Sequence, residues 1–172
     1  MNLKLIYGTD TGNTVNIIDN HLLIELEKAG FNVSTLCVNQ VQSSDWQNDD
    51  KFILGVPTWC DGGLQSCWEN YFENFKNLSF EGKTVALFGL GDQIGYEEWF
   101  CDAIGVLAEI VIKNKGKVIG YTKLDDSYIF KTKPKVMFDE NTMYGLALDD
   151  DNQQELTSQR IVNWVAQLKQ EF

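Results

Sequence analysis

Short apolar runs alternate along this chain with apolar stripes at three- and four-residue spacing, and that alternation leaves few architectures open. Leu3 to Tyr7, Asn32 to Cys37, Phe52 to Val56, Thr84 to Gly89 and Lys117 to Tyr121 read as strands. Most are apolar on both alternating sets of residues, as strands covered on both faces are. Val15, Ile18, Leu22, Leu26 and Ala29 form the first helical stripe, and Trp68, Tyr71, Phe72 and Phe75 the second. Two more run through Phe100, Ile104, Leu107 and Val111, and through Ile161, Trp164, Val165 and Leu168. Strands and helices in alternation predict an α/β fold, a doubly wound parallel sheet with helices on both faces. Lys28-Ala29-Gly30 and Lys115-Gly116 close two of the helices with a glycine beside a cation that suits the negative pole of the helix dipole.

From about 122 to 144 neither period holds. The segment mixes charges with Pro134 and the aromatics Tyr128, Phe130, Phe138 and Tyr144. It is too long for an ordinary connection, so it reads as an insertion with short strands of its own, after which "YGLALD" resumes the fifth strand. At 172 residues with 44% hydrophobic, one domain over residues 1–172 is expected.

Charge and cysteine content narrow the function. Lys and Arg number 14 against 25 Asp and Glu, a net charge of -11, which disfavours nucleic acid, whose binding rests on cationic neutralisation of phosphates. The acidity serves either solubility or steering toward a basic partner. No run approaches about eighteen apolar residues, and the first residues lack a basic region with a cleavage site, so no membrane partner and a soluble, cytoplasmic protein are expected. Cys37, Cys60, Cys67 and Cys101 form no C-x-x-C pair, and His21 is the only histidine. A Cys/His metal site or a histidine-dependent nucleophile therefore needs His21, which falls inside the first helical stripe.

In a doubly wound sheet, ligands collect beyond the carboxyl ends of the strands, so the loops after strands one, three and four draw attention. The first, Gly8-Thr9-Asp10-Thr11-Gly12-Asn13-Thr14, offers hydroxyl and amide donors, two glycines and the free N–H groups of the next helix. That suits a phosphate; the alternative is a helix start capped by Thr or Asn. No lysine follows Gly12, so this is not a nucleoside-triphosphate loop, and neutral donors suit one terminal phosphate. The second loop, "GVPTWCDGGLQS", places Trp59 beside Gly62-Gly63; the third, "GLGDQIGYEEWF", carries Asp92, Gln93 and Tyr96. Two aromatics beside a single-phosphate loop suggest a flat ring held between them. "GLGDQIG" misses the dinucleotide spacing by one residue.

Together, "GTDTGNT", "GVPTW", "EGKTVALFGLGDQIGYEEWFCDA" and "YGLALDDDNQQELTSQRIVNWVAQL" resemble the flavodoxins, specifically the long-chain group in which an inserted segment interrupts the fifth strand. The resemblance implies a flavodoxin-like five-stranded sheet of order 2-1-3-4-5 and FMN, bound non-covalently, as the ligand. It implies a low-potential one-electron carrier and not an enzyme, a monomer that docks transiently on basic faces of a flavodoxin reductase and of downstream redox enzymes. Carried over by position, Thr9, Asp10, Thr11, Gly12, Asn13 and Thr14 hold the FMN phosphate. Pro57, Thr58, Trp59 and the backbone of Cys60, Asp61 and Gly62 line one side of the flavin, Tyr96 stacks on the other, and Gly91 and Asp92 lie near its pyrimidine edge.

By the same resemblance, the Cys60-Asp61 peptide turns its carbonyl toward the flavin on reduction, and Gly62-Gly63 ease that turn. The chain departs from the family at Gly63 and Cys67, where acidic residues are usual, and in the opening of the insertion, "GYTKLDDSYIF". Two rivals of the same fold are weighed against this reading. An NAD(P)H:quinone reductase needs nicotinamide room that the Trp59 and Tyr96 sandwich takes up. A phosphorylated receiver needs an aspartate at the end of strand three, where Gly55-Val56-Pro57 stands.

Overall fold

A computed structural model describes residues 1–59, 61–130 and 132–172. The chain alternates as its apolar pattern predicts. Strand β1 (Asn2–Tyr7) leads into a long first helix in three pieces: α1 (Asn13–Ile17), a π-helical turn (Ile18–Leu22) and α2 (Leu23–Lys28). Then come β2 (Asn32–Cys37), α3 (Ser43–Gln47), β3 (Lys51–Gly55), the short strands β4 (Thr58–Trp59) and β5 (Gly63–Leu64), and α4 (Ser66–Lys76). They are followed by β6 (Thr84–Leu90), α5 (Asp102–Lys113), β7 (Lys117–Ile119), β8 (Thr122–Lys123), β9 (Thr142–Met143), β10 (Leu146–Leu148) and α6 (Gln154–Glu171).

The central sheet runs β2-β1-β3-β6, all parallel, and both β7 and β10 lie against β6. β7 pairs with Thr84 to Ala86 and β10 with Phe88 to Leu90. They are two halves of one strand position, so the sheet has the expected order 2-1-3-4-5 with its fifth strand split. Between the halves β8 and β9 pair antiparallel, and the inserted backbone crosses α5 at Gly105, where a Cβ would come within 1.8 Å of the Lys135 carbonyl oxygen.

Period-two alternation divides the core. On one face Leu3, Leu5, Ile53 and Phe88 meet Ile17, Leu22 and Leu26 of the first helix and Ile161, Trp164 and Leu168 of α6. On the other, Ile6, Phe52, Leu54 and Leu87 meet Trp68 and Phe75 of α4, Ile104, Leu107 and Val111 of α5, and Val136 and Tyr144 of the insertion. Trp68 and Phe75 of one helical stripe, and Phe100, Ile104, Leu107 and Val111 of the next, are core, with Tyr71 and Phe72 partly buried against it.

Element ends differ from the sequence reading for local reasons. β7 stops at Ile119 and not at Tyr121, because Gly120 adopts φ 74. Its carbonyl accepts from Trp164 Nε1 at 2.8 Å, and a Cβ there would press on the same indole. α5 begins at Asp102, after Phe100, with Cys101 in a left-handed conformation as its cap. α3 carries Trp46, which stacks on Phe52 with ring centres 5.0 Å apart and caps that edge of the core.

Candidate functional site

The first loop leaves β1 at Tyr7 and must turn at once, because Gly8 N donates to Gly55 O of β3. Gly8 has no room for a side chain: a Cβ would stand 2.1 Å from Gln65 Oε1 and 2.5 Å from the Trp68 ring. Gln65 and Trp68 belong to the start of α4, and Trp68 Nε1 donates to Gly55 O at 2.9 Å, so the loop is wedged between sheet and helix. Gly12 then takes φ 90 as the N-cap of α1, and its N–H donates to Thr9 Oγ1 at 3.0 Å. No side chain caps α1. The capped-start alternative thus fails, and the first-turn N–H groups remain available to an anion beside the hydroxyls of Thr9, Thr11 and Thr14.

Asp10 also ties its loop to the neighbouring helix. Its carboxylate accepts from Gln65 Nε2 at 2.7 Å and from Ser66 Oγ at 2.5 Å, which ties the loop to α4. The Ser66 and Gln65 donors hold its carboxyl below the ordinary aspartate range despite slight desolvation.

The second loop is a hairpin of β4 and β5, pairing Thr58 with Leu64 and Trp59 with Gly63. Thr58 Oγ1 accepts from Ala103 N at 3.1 Å, which anchors the hairpin to the first turn of α5. Gly62 has φ 79, and a Cβ on it would lie 2.9 Å from both Asp102 Oδ2 and the Trp99 ring. Asp102 is only 2% exposed. Burial raises its carboxyl above the ordinary range, against the opposing pull of the Lys135 N–H and the Lys135 ammonium 3.9 Å away.

The third loop is folded by Asp92, whose Oδ1 accepts from Gly95 N at 2.7 Å, Ile94 N at 2.9 Å and Asn152 Nδ2 at 2.9 Å. Partial burial works against ionisation there, but these donors outweigh it and hold the carboxyl below the ordinary range. The turn throws Tyr96 outward; Tyr96 is 48% exposed and Trp59 is 38% exposed, unusual for large aromatics.

These loops enclose one cleft of about 360 Å³ beyond the carboxyl ends of β1, β3 and β6. Of the residues singled out in the sequence, Thr9, Asp10, Thr11, Asn13, Thr14, Pro57, Thr58, Trp59, Gly91, Asp92 and Tyr96 line it. Gly12 shapes the loop without lining the cleft. Asp61 and Gly62 stand in the turn before β5 and are not among the residues that line the cleft; Cys60 lies outside the described residues. Leu90, Trp99, Phe100, Asp150 and Asp151 line the cleft as well. The two aspartates follow the resumed fifth strand, and the same carboxyl-end rule that directed attention to the other three loops points to theirs. No lysine or arginine lines the cleft among the described residues. His21 is remote from it, with Nδ1 3.0 Å from Ser158 Oγ on α6.

Comparison with known proteins agrees with this geometry. The family model for flavodoxin matches residues 5–164. The flavodoxin of a Nostoc species is 43% identical over 171 residues, which is 99% of this chain and 96% of that protein. Flavodoxin 1 of Escherichia coli is 35% identical across 98% of this chain and 93% of its own length. The crystal structure of Fusobacterium nucleatum flavodoxin bound to flavin mononucleotide superposes with a TM-score of 0.89 at 35% identity, covering 99% of this chain and 98% of that one. With the family match, the identity and the split fifth strand in agreement, the chain belongs to the flavodoxin family, in its long-chain form.

Proposed function

We propose that this electron-transfer protein is a low-potential one-electron carrier that holds FMN non-covalently in the cleft and shuttles electrons between a flavoprotein reductase and acceptor redox enzymes. The observation that carries the reading is the pairing, in one cleft, of an uncapped helix start without a cation and two exposed aromatic rings. Bound there, FMN supplies the redox chemistry, and the chain supplies binding, orientation and charge.

The residues present fit that group. Backbone N–H groups at the start of α1, with the hydroxyls of Thr9, Thr11 and Thr14 and the amide of Asn13, hold the phosphate. Asp10 positions that loop from behind. Trp59 and Tyr96 flank the ring, and the backbone around Gly91 and Asp92 meets its polar edge. Asp92, Asp150 and Asp151 line the cleft, and carboxylates near the ring oppose the arrival of an electron. A tenfold change in a one-electron equilibrium corresponds to about 59 mV, so a few such charges set a useful part of the potential. The turn at Gly62 allows the neighbouring peptide to reorient, with Trp99 and the buried Asp102 as its floor.

Partner encounters follow from charge. A net charge of -11 favours brief docking on basic faces, because complementary charge raises association rates more than affinity. No helix among the described residues is long and apolar enough to cross a membrane. A monomeric, single-domain, cytoplasmic carrier belongs to this reading on the strength of the family resemblance. The test is to add FMN to the purified protein and reduce it stepwise without oxygen. Stoichiometric binding, two separated one-electron steps and no NADPH oxidation until a reductase is added are the expected results. NADPH consumption by the protein alone would overturn the reading.

A further inference from the structure

Asp61-Gly62 is the only place in the chain where an aspartate precedes a glycine, and no asparagine precedes glycine or serine. An aspartyl carboxyl and the next backbone nitrogen can close a five-membered ring, and glycine, having no Cβ, hinders that approach least. Elsewhere the fold engages these groups. Asp92, Asp125 and Asp139 each accept from the N–H two residues on, at 2.9, 2.9 and 2.8 Å, which fixes their carboxylates in local turns. At Asp126-Ser127, the next most open pairing, the Ser127 N–H is the donor to Asp125 Oδ1. Ser127 is also held by Arg160 Nη2 on its Oγ at 2.7 Å and by Gln153 Nε2 on its carbonyl at 2.6 Å. Asp61 is different: it is exposed in the turn before β5, and Gly62 beside it has φ 79. No acceptor for the Gly62 N–H stands among the described residues.

We propose that Asp61-Gly62 is a site of spontaneous backbone modification in the folded protein, at which Asp61 passes through a cyclic imide to a β-linked isoaspartate. The Gly62 nitrogen gives its proton to solvent and attacks Asp61 Cγ in its carboxylic acid form. A C–N bond forms, a C–O bond breaks, and one water leaves. A water molecule then opens the imide at the side-chain carbonyl, which restores aspartate, or at the main-chain carbonyl, which leaves Gly62 joined through Cβ and Cγ of Asp61. Nothing is oxidised or reduced, and one carboxylate is present before and after. The β-linkage adds one carbon to the main chain of a turn that holds Trp59 opposite Gly63. It also moves Gly62, which packs against Trp99 and Asp102. Trp59 and Trp99 both line the cleft, so the modification acts on that wall; its consequence for FMN rests on the function proposed above.

The proposal is tested by incubating the FMN-loaded and the FMN-free protein in mildly acidic buffer, with urea-unfolded chain as the reference. Peptides are mapped by mass and labelled with an isoaspartyl methyltransferase and S-adenosylmethionine. The expected intermediate is a peptide spanning residues 61 and 62 that is lighter by one water. The expected product has the starting mass, a changed elution and a methyl label at Asp61. The ratio of label at Asp61 to label at Asp126 should be higher in folded than in unfolded protein. Asp61→Asn should form the same imide sooner, with ammonia as the leaving group. Absence of label at Asp61 from both folded samples, a ratio no higher than in the unfolded chain, or no imide from Asp61→Asn would overturn the proposal. Because the product is read by mass with and without FMN, its failure is separable from a failure of FMN binding.

Discussion

The two sides of the cleft are supported in opposite ways. On the phosphate side, Asp10 is an exposed carboxylate saturated with donors from Gln65 and Ser66, and the loop is jammed against α4 at Gly8. On the ring side, the hairpin rests on Asp102, a buried carboxylate whose charge is disfavoured, and its turn depends on a left-handed glycine. One wall is fixed by close packing and satisfied charge, which suits a group that must stay put. The other is balanced on a cost, which suits the proposed reorientation of the peptide before Gly62.

The sharpest break of that contrast is Gly8→Ala. A methyl group there has to displace Gln65 and the Trp68 ring, and overpacking of this kind costs about 1–3 kcal/mol. Stability by denaturant titration should fall by that amount. FMN affinity by fluorescence titration should fall by roughly tenfold or more, since about 1.4 kcal/mol is a factor of ten. An alanine variant that binds FMN as tightly as the parent would show that the loop is not held by packing.

Gly62→Val probes the other wall. The φ of 79 at Gly62 costs an L-residue about 1–2 kcal/mol, and the new side chain would meet Asp102 and Trp99. FMN affinity should change less than in Gly8→Ala, while the gap between the two one-electron potentials should shrink by on the order of 60 mV. Equal potentials in parent and variant, measured by anaerobic dye equilibration, would remove the hairpin turn from the tuning of the flavin.

Much of this contrast was already legible in the sequence, and the parts that were not share a cause. The doubly wound parallel sheet, the resumption of the fifth strand after the insertion and the three loops followed from period and strand–helix alternation, which are local signals, whereas the strand order came with the family resemblance. The π-helical turn at Ile18–Leu22 left no trace, because Ile18 and Leu22 keep the four-residue spacing of an ordinary helix. α3 has five residues, too short to display a period, although its Trp46 is core. The work of Asp10 was missed because its partners are 55 and 56 residues away in sequence. Asp102 was hidden in the same way: its burial depends on the insertion folding back so that Lys135 covers it. Local pattern located the walls of the site, and long-range contacts decide how each wall is held.

The pH dependence of stability separates Asp10 from Asp102. The folded state binds protons at Asp10 and Asp92 more weakly than the unfolded chain does. Their contribution is therefore present above the ordinary aspartate value and is lost as pH falls through their lowered values. Asp102 has the opposite sign: its folded-state value is raised, so its cost is absent in acid and develops as pH rises from the ordinary value through the raised one. Asp102→Asn should remove that cost. Relative to the parent, its stability should improve on going from about pH 4 to pH 7. A difference between the two proteins that is flat with pH would mean that Asp102 keeps its charge without penalty.

The smallest expected effect concerns partners. Asp150 and Asp151 stand at the cleft beyond β10, and neither supports a wall in the way that Asp10 or Asp102 does. Replacing both with Asn should leave FMN affinity and stability nearly unchanged, because an Asn carbonyl at position 150 can still accept from Thr157 Oγ1 and an exposed charge such as that of Asp151 contributes little to folding. The rate of electron exchange with a reductase should fall a few-fold at low ionic strength, and the difference should fade as salt shortens the Debye length from about 30 Å at 0.01 M to about 8 Å at 0.15 M. If the doubly substituted protein exchanges electrons at the parent rate at low salt, docking is steered by other parts of the acidic surface. A deficit that persists at high salt would instead place these two aspartates in direct contact with the bound cofactor, and the cleft would then have a third wall.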